Sequence, residues 1–143
     1  MRNQGARVPR FAVLEHSDAP DDPTGRHFDL LLEAGNACRT WRLMLVPLID
    51  GPLVAAVEIA PHRLAWLEHR SGEVSGGRGY ARQIAAGSFA LLSADAAELG
   101  EARALIVQLT GEKLSGRLRL EEAGEGWVAS LANPGSSNPH EAA

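Results

Sequence analysis

Two strand-like runs, RHFDLLLE (Arg26 to Glu33) and CRTWRLMLVP (Cys38 to Pro47), meet across the short stretch EAGNAC. A Gly-Asn pair between two such runs is a β-hairpin signal, because the tight turn needs residues that tolerate positive φ. With Gly35 and Asn36 as the turn, Asp29 faces Arg42 and His27 faces Met44. Alternation then turns Phe28, Leu30 and Leu32 to one face and His27, Asp29 and Leu31 to the other. The first face is plain core. The second opens on an imidazole and a carboxylate about 7 Å apart, the two-residue rise of a strand. That pairing suits a divalent metal, which takes its remaining ligands from elsewhere in the fold. His16, at the end of the first apolar run, and His62, after Ala60-Pro61 where a strand should stop, are the candidates.

Further strands are expected at Arg10 to Glu15, Leu53 to Ile59, Ala81 to Leu92, Ala104 to Thr110, Arg117 to Glu121 and Trp127 to Leu131. Ser93 is a good N-cap for one short helix through ADAAELGEA, which Gly100 curtails. The expected fold is mainly β, a small antiparallel β-barrel with one short helix. One domain over residues 10–132 follows, with a loose arm at 1–9 and a disordered tail at 133–143 that contains His140. The hydrophobic share of 45% supports a globular core. There is neither an apolar run long enough to span a bilayer nor the h-region of a signal peptide, so the expected setting is soluble and cytoplasmic, with no membrane partner. Cys38, the single cysteine, has no internal disulfide partner.

The net charge of −4 argues against indiscriminate coating of nucleic acid, which relies on neutralising many phosphates. A local anion site remains compatible with it, since arginine supplies all the positive charge except that of Lys113. The Gly-rich SGGRGYAR (Ser75 to Arg82) lacks the ending of a nucleotide-binding P-loop and reads as a rim loop from which Arg78 and Arg82 reach toward substrate. Most of Trp41, Trp66 and Trp127 are expected in the core. His69, in EHRSG, reads as exposed loop.

In order, LEH (14 to 16), HFDLLLE (27 to 33), TW (40 to 41), PHRLAW (61 to 66), GSF (87 to 89) and GEKLSGRLRL (111 to 120) span about 120 residues. This succession resembles the 3′-phosphoesterase domain of bacterial end-joining DNA ligases and its stand-alone relatives. The resemblance implies a compact β-barrel that binds Mn²⁺ and trims 3′ ends of DNA or RNA, removing 3′-phosphates and terminal ribonucleosides in DNA repair. It implies His16, His27 and Asp29 as metal ligands and His62 as the histidine that contacts the scissile phosphate or acts as general acid. Trp66 falls where the family has a tyrosine near the site. Nucleic-acid 3′ ends are the implied partner, with a separate ligase or polymerase alongside and the chain itself a monomer.

The sequence departs from that pattern at two phosphate-site arginines, which stand here as Leu31 and Glu58. The loop between His16 and His27 is longer than the family's and carries Asp18, Asp21 and Asp22, an acidic segment suited to gating access. Because the hairpin register sets Arg42 opposite Asp29, Arg42 is the expected replacement cation, oriented by Glu58 if that residue lies nearby. Two other functions fit the same residues. One is a non-catalytic module that binds nucleic-acid ends or a protein partner. The other is a non-heme iron oxygenase using His27, Asp29 and His62 as its facial triad.

Overall fold

A computed structural model describes residues 8–18, 20, 25–74, 77 and 79–134. The expected rim residue Arg78, most of the arm and tail including His140, and most of the acidic loop, Asp21 and Asp22 included, lie outside the described residues. The hairpin forms as its turn dictates. β2 (Arg26–Ala34) and β3 (Ala37–Leu43) pair with Ala34 opposite Ala37 and Asp29 opposite Arg42. Gly35 takes φ 70°, the left-handed conformation that favours glycine. The ladder ends at Phe28 opposite Leu43, so the expected pairing of His27 with Met44 does not form.

β1 (Arg10–Ser17) adds to β2, and β4 (Val54–Arg63) adds to β3. β4 continues through β9 (Gly126–Ala132), β8 (Gly116–Ala123) and β7 (Ala104–Gly111) to β6 (Tyr80–Ala94), which returns to pair with β1. Eight antiparallel strands thus close a barrel, and the three-residue β5 (Ser71–Glu73) lies on the start of β6. Closure removes the sheet edges that an open meander would expose. Strict alternation in β7, β8 and β9 sends Leu105, Val107, Leu109, Leu118, Leu120, Trp127, Ala129 and Leu131 inward. Phe11, Val13, Leu30, Leu32, Trp41 and Leu43 meet them from the other wall.

Trp41 and Trp127 are core, as expected, packed edge to face with ring centroids 5.4 Å apart. The Arg39 guanidinium lies over both rings, 4.8 and 5.1 Å from their centroids, and donates to Glu58 and to the Leu99 carbonyl. Burying this cation is tolerable because every face of it meets a ring, a carboxylate or a carbonyl.

Two expectations about elements need correction. No helix follows Ser93: β6 runs to Ala94, with Ser93 opposite Ile106, and the connection to β7 holds only a 3-10 turn at Leu99–Glu101. The Asp95 carboxylate accepts hydrogen bonds from the backbone N–H groups of Arg103 and Ala104, which ties the loop to the ladder instead of starting a helix. Nor does β4 stop at Ala60-Pro61. Beyond Ala56 it is paired with β3 alone, and on such an edge a proline removes no needed donor.

The register also shifts there by one residue. Cys38 faces His62 but Thr40 faces Ile59, so Ala60 and Pro61 bulge. A one-residue slip moves every later side chain to the opposite face. Without the bulge His62 would share a face with Glu58; with it, His62 shares the face of Cys38 and Glu58 shares that of Trp41. No helix among the described residues is long and apolar enough to cross a membrane.

Candidate metal centre

The face of β1 to β3 that points away from the barrel interior carries a second, smaller core of Ala12, Leu14, Leu31, Cys38 and Leu67. Leu67 belongs to a 3-10 turn, Leu64–Glu68, that continues from β4 and folds over the outer wall. Gln83 anchors the cover by donating to the carbonyls of Leu67 and His69. Burial beneath this cover pushes the Cys38 thiol up to about 11, which leaves it unreactive at neutral pH. The polar end of the same face is where His16, His27, Asp29, Arg42 and His62 meet. They lie on the outer wall, because alternation sets them on the side opposite the interior Leu30, Leu32 and Trp41.

Asp29 is the hub, 1% exposed at the middle strand of the three. Its Oδ2 is 3.3 Å from His16 Nε2 and 3.7 Å from His62 Nε2. Its Oδ1 is 3.8 Å from His27 Nε2 and 3.5 Å from Arg42 Nε. His16 and His27 face each other across the β1–β2 ladder and stack, with centroids 5.1 Å apart. Burial alone would raise the Asp29 carboxyl, but His16 foremost, with His27 and Arg42, outweighs it and holds the group below its usual range. The His62 imidazole is pushed below its ordinary value by burial, an effect Asp29 only partly offsets.

His16, Asp29 and His62 can each present a donor atom within 4.8 Å of the others. Ligands about 2.0 to 2.3 Å from one first-row ion stand about 3 to 3.7 Å apart, the spacing of the two closest pairs here. Among the described residues, His16 Nε2 and Asp29 Oδ1 are buried without a hydrogen-bond partner, an arrangement costly for a polar site unless something else satisfies the atoms. The donor set therefore fits a divalent cation. His62 enters this tight group where the sequence reading had His27, and His27 stands at the other carboxylate oxygen, 3.8 Å away.

Trp66 hangs over the cluster from the 3-10 turn, its ring 6.3 Å from that of His16 and 5.9 Å from that of His62. His69 is not a bare exposed loop residue. Its ring lies 4.7 Å from that of Trp66 and its Nε2 is 3.0 Å from the Ala81 carbonyl. The pairing of β5 with β6 carries it there, and a three-residue strand of sequence SGE gives no periodic signal to foretell that.

Arg82 does not join the cluster. It is opposite Glu15, on the inward-facing side of β1, and is held by that carboxylate at 2.6 Å. Glu58 does not orient Arg42 either, because the bulge turns it to the inner face, where it binds Arg39. Leu31, in the place of a family arginine, is wholly buried in the small outer core with Leu67. Comparison of the chain with protein-family models finds no match, and comparison with curated proteins finds none either.

Proposed function

We propose that the chain is a metal-dependent phosphoesterase that processes 3′ ends of DNA or RNA, removing a terminal phosphate or ribonucleoside. The observation that carries the reading is a buried carboxylate, Asp29, ringed by three imidazoles and a guanidinium on one half-open face. The ordered resemblance to the ligase-associated domain supplies the reaction class.

His16, Asp29 and His62, with His27 beside them, would hold the ion, Mn²⁺ by the resemblance. When bound, it would polarise a phosphoryl oxygen and offset its growing charge. Arg42, partly exposed beside Asp29, is placed to meet a phosphate on the open side of the cluster. His62, with 18% of its side chain exposed, lies between Asp29 and Trp66; with its Nδ1 3.3 Å from the Ala60 carbonyl, its Nε2 would serve the ion and leave it no free nitrogen for acid–base work. Trp66 offers an aromatic face to the terminal base or sugar.

A second reading, an end-binding module without catalysis, draws on Leu31 and Glu58, which place no cation at the site where the family has two. The deciding experiment is incubation with primer-templates bearing a 3′-phosphate or a 3′-ribonucleotide, with and without Mn²⁺, read as product length and end chemistry. Metal-dependent conversion to a 3′-hydroxyl supports the enzyme. Metal-dependent binding without conversion supports the module.

A further inference from the structure

β6 is bulged where it passes β1: Val13 faces Ala85 but Leu14 faces Gln83, so Ile84 is the extra residue. On its other edge β6 pairs with β5 through Arg82 and with β7 only from Gly87. Among the described residues, Ile84, Ala85 and Ala86 therefore have no strand partner on that edge, and a cleft of about 450 Å³ opens there. Arg70, Arg82 and Lys113 line it, with Tyr80, Ser71 and one carboxylate, Glu112. Arg82 is committed to Glu15, whereas Arg70 and Lys113 carry no ion pair to any described residue. On a chain of net charge −4 this is a local concentration of positive charge. It begins one residue along β6 from Ala81, the register partner of His16, and its far end at Ala86 is five strand rises away, about 16 Å.

We infer that this cleft takes the phosphodiester backbone of the strand whose 3′ end enters the metal centre, with Arg70 and Lys113 as its cations. The inference rests on the proposed function, and adds a length requirement to it: a strand must extend several nucleotides upstream of its end to reach the cleft. A bulge beside an unpaired stretch of strand is a common way to open a sheet next to a site. Tyr80, 40% exposed, gives an upstream base a surface to stack on.

The test uses the full chain and the double variant Arg70→Ala/Lys113→Ala, both residues being exposed and outside the core. Binding of a single-stranded 12-mer and of a dinucleotide, each with a 3′-phosphate, is measured across a salt series in the absence of metal; turnover of both is measured with Mn²⁺. The inference expects the variant to bind the 12-mer about an order of magnitude more weakly at 0.1 M salt, with a salt slope shallower by about 1.4, and to handle the dinucleotide as wild type does. Because Lys113 is the only lysine, amine-reactive labelling reports on it and the N-terminal amine alone, and the 12-mer should protect it. Equal 12-mer affinity in variant and wild type overturns the inference. So does protection of Lys113 by inorganic phosphate as strong as that by the 12-mer, which would mark a small-anion pocket. If the wild type turns over neither substrate while 12-mer binding still depends on Arg70 and Lys113, the cleft stands and the catalytic reading falls. Turnover that is equal for both lengths leaves the enzyme standing and removes the cleft.

Discussion

Asp29 is a carboxylate at 1% exposure with a depressed pKa, and both facts yield tests that do not depend on catalysis. A carboxyl whose folded pKa lies below its unfolded value contributes stability that is present above about pH 4 and is lost as pH falls through the folded pKa. Metal-free Asp29→Asn should therefore lose stability less steeply below pH 4 than wild type does, measured by urea unfolding at pH 3 to 7. Arg42→Ala removes a partner of that carboxylate that is not a metal ligand. It should leave Mn²⁺ affinity within a few fold and reduce 3′-end turnover about a hundredfold, the usual loss for one charge-stabilising donor. If an arginine at position 31 could serve as it does in the family's pattern, Leu31→Arg would restore part of the activity lost in Arg42→Ala. Leu31 has no exposed surface and packs in the outer core with Leu67, so an arginine there would have to push the 3-10 turn away. Leu31→Arg should instead destabilise the fold by about 3 kcal/mol or more, seen in the denaturant midpoint.

At the scale of elements, what was legible in the sequence depended on whether a local rule governed it. The Gly35-Asn36 turn fixes the register of β2 on β3, so the placement of Arg42 beside Asp29 follows from a count along the chain. β7, β8 and β9 announce themselves by alternation, whereas β1 to β3, buried on both faces, are legible only as apolar runs between turn signals. The bulge at Ala60-Pro61 is legible in neither way, since the sequence there reads as a strand end, and that single extra residue decides that His62 joins the Asp29 cluster while Glu58 turns to Arg39. The helix expected after Ser93 fails for a similar reason, because Asp95 serves the β7 backbone and the ladder overrides the N-cap. A consequence can be measured at Glu58. Glu58→Ala leaves the Arg39 guanidinium under the two tryptophans without its half-exposed carboxylate and should cost about 1.5 kcal/mol, with Mn²⁺ binding unchanged. A loss of metal in that variant would contradict the assignment of Glu58 to the inner face. Gly87 is a second sensitive point, since a Cβ there would come within 2.1 Å of the Thr110 carbonyl oxygen where β6 crosses onto β7. Gly87→Ala should disturb closure and lower the thermal midpoint.

For the whole molecule, the barrel interior and the face that carries the Asp29 cluster are separate layers of the same wall. The interior is filled by residues from every barrel strand, and the outer wall of β1 to β4 carries the site beneath a short cover that ends in Trp66 and Leu67. The ligand cluster can thus be altered without hollowing the core, and a bound ion should stabilise the fold by mass action, about 2.7 kcal/mol at a hundredfold excess over Kd. The central claim is that these residues form one divalent site, and the most direct measurement is titration of Mn²⁺ with protein, followed by the electron paramagnetic resonance signal of the free ion. The account predicts one tightly bound ion per chain in wild type and no tight binding in folded Asp29→Ala, which loses the carboxylate around which the other donors gather. A free-ion signal undiminished by wild-type protein at neutral pH would contradict it.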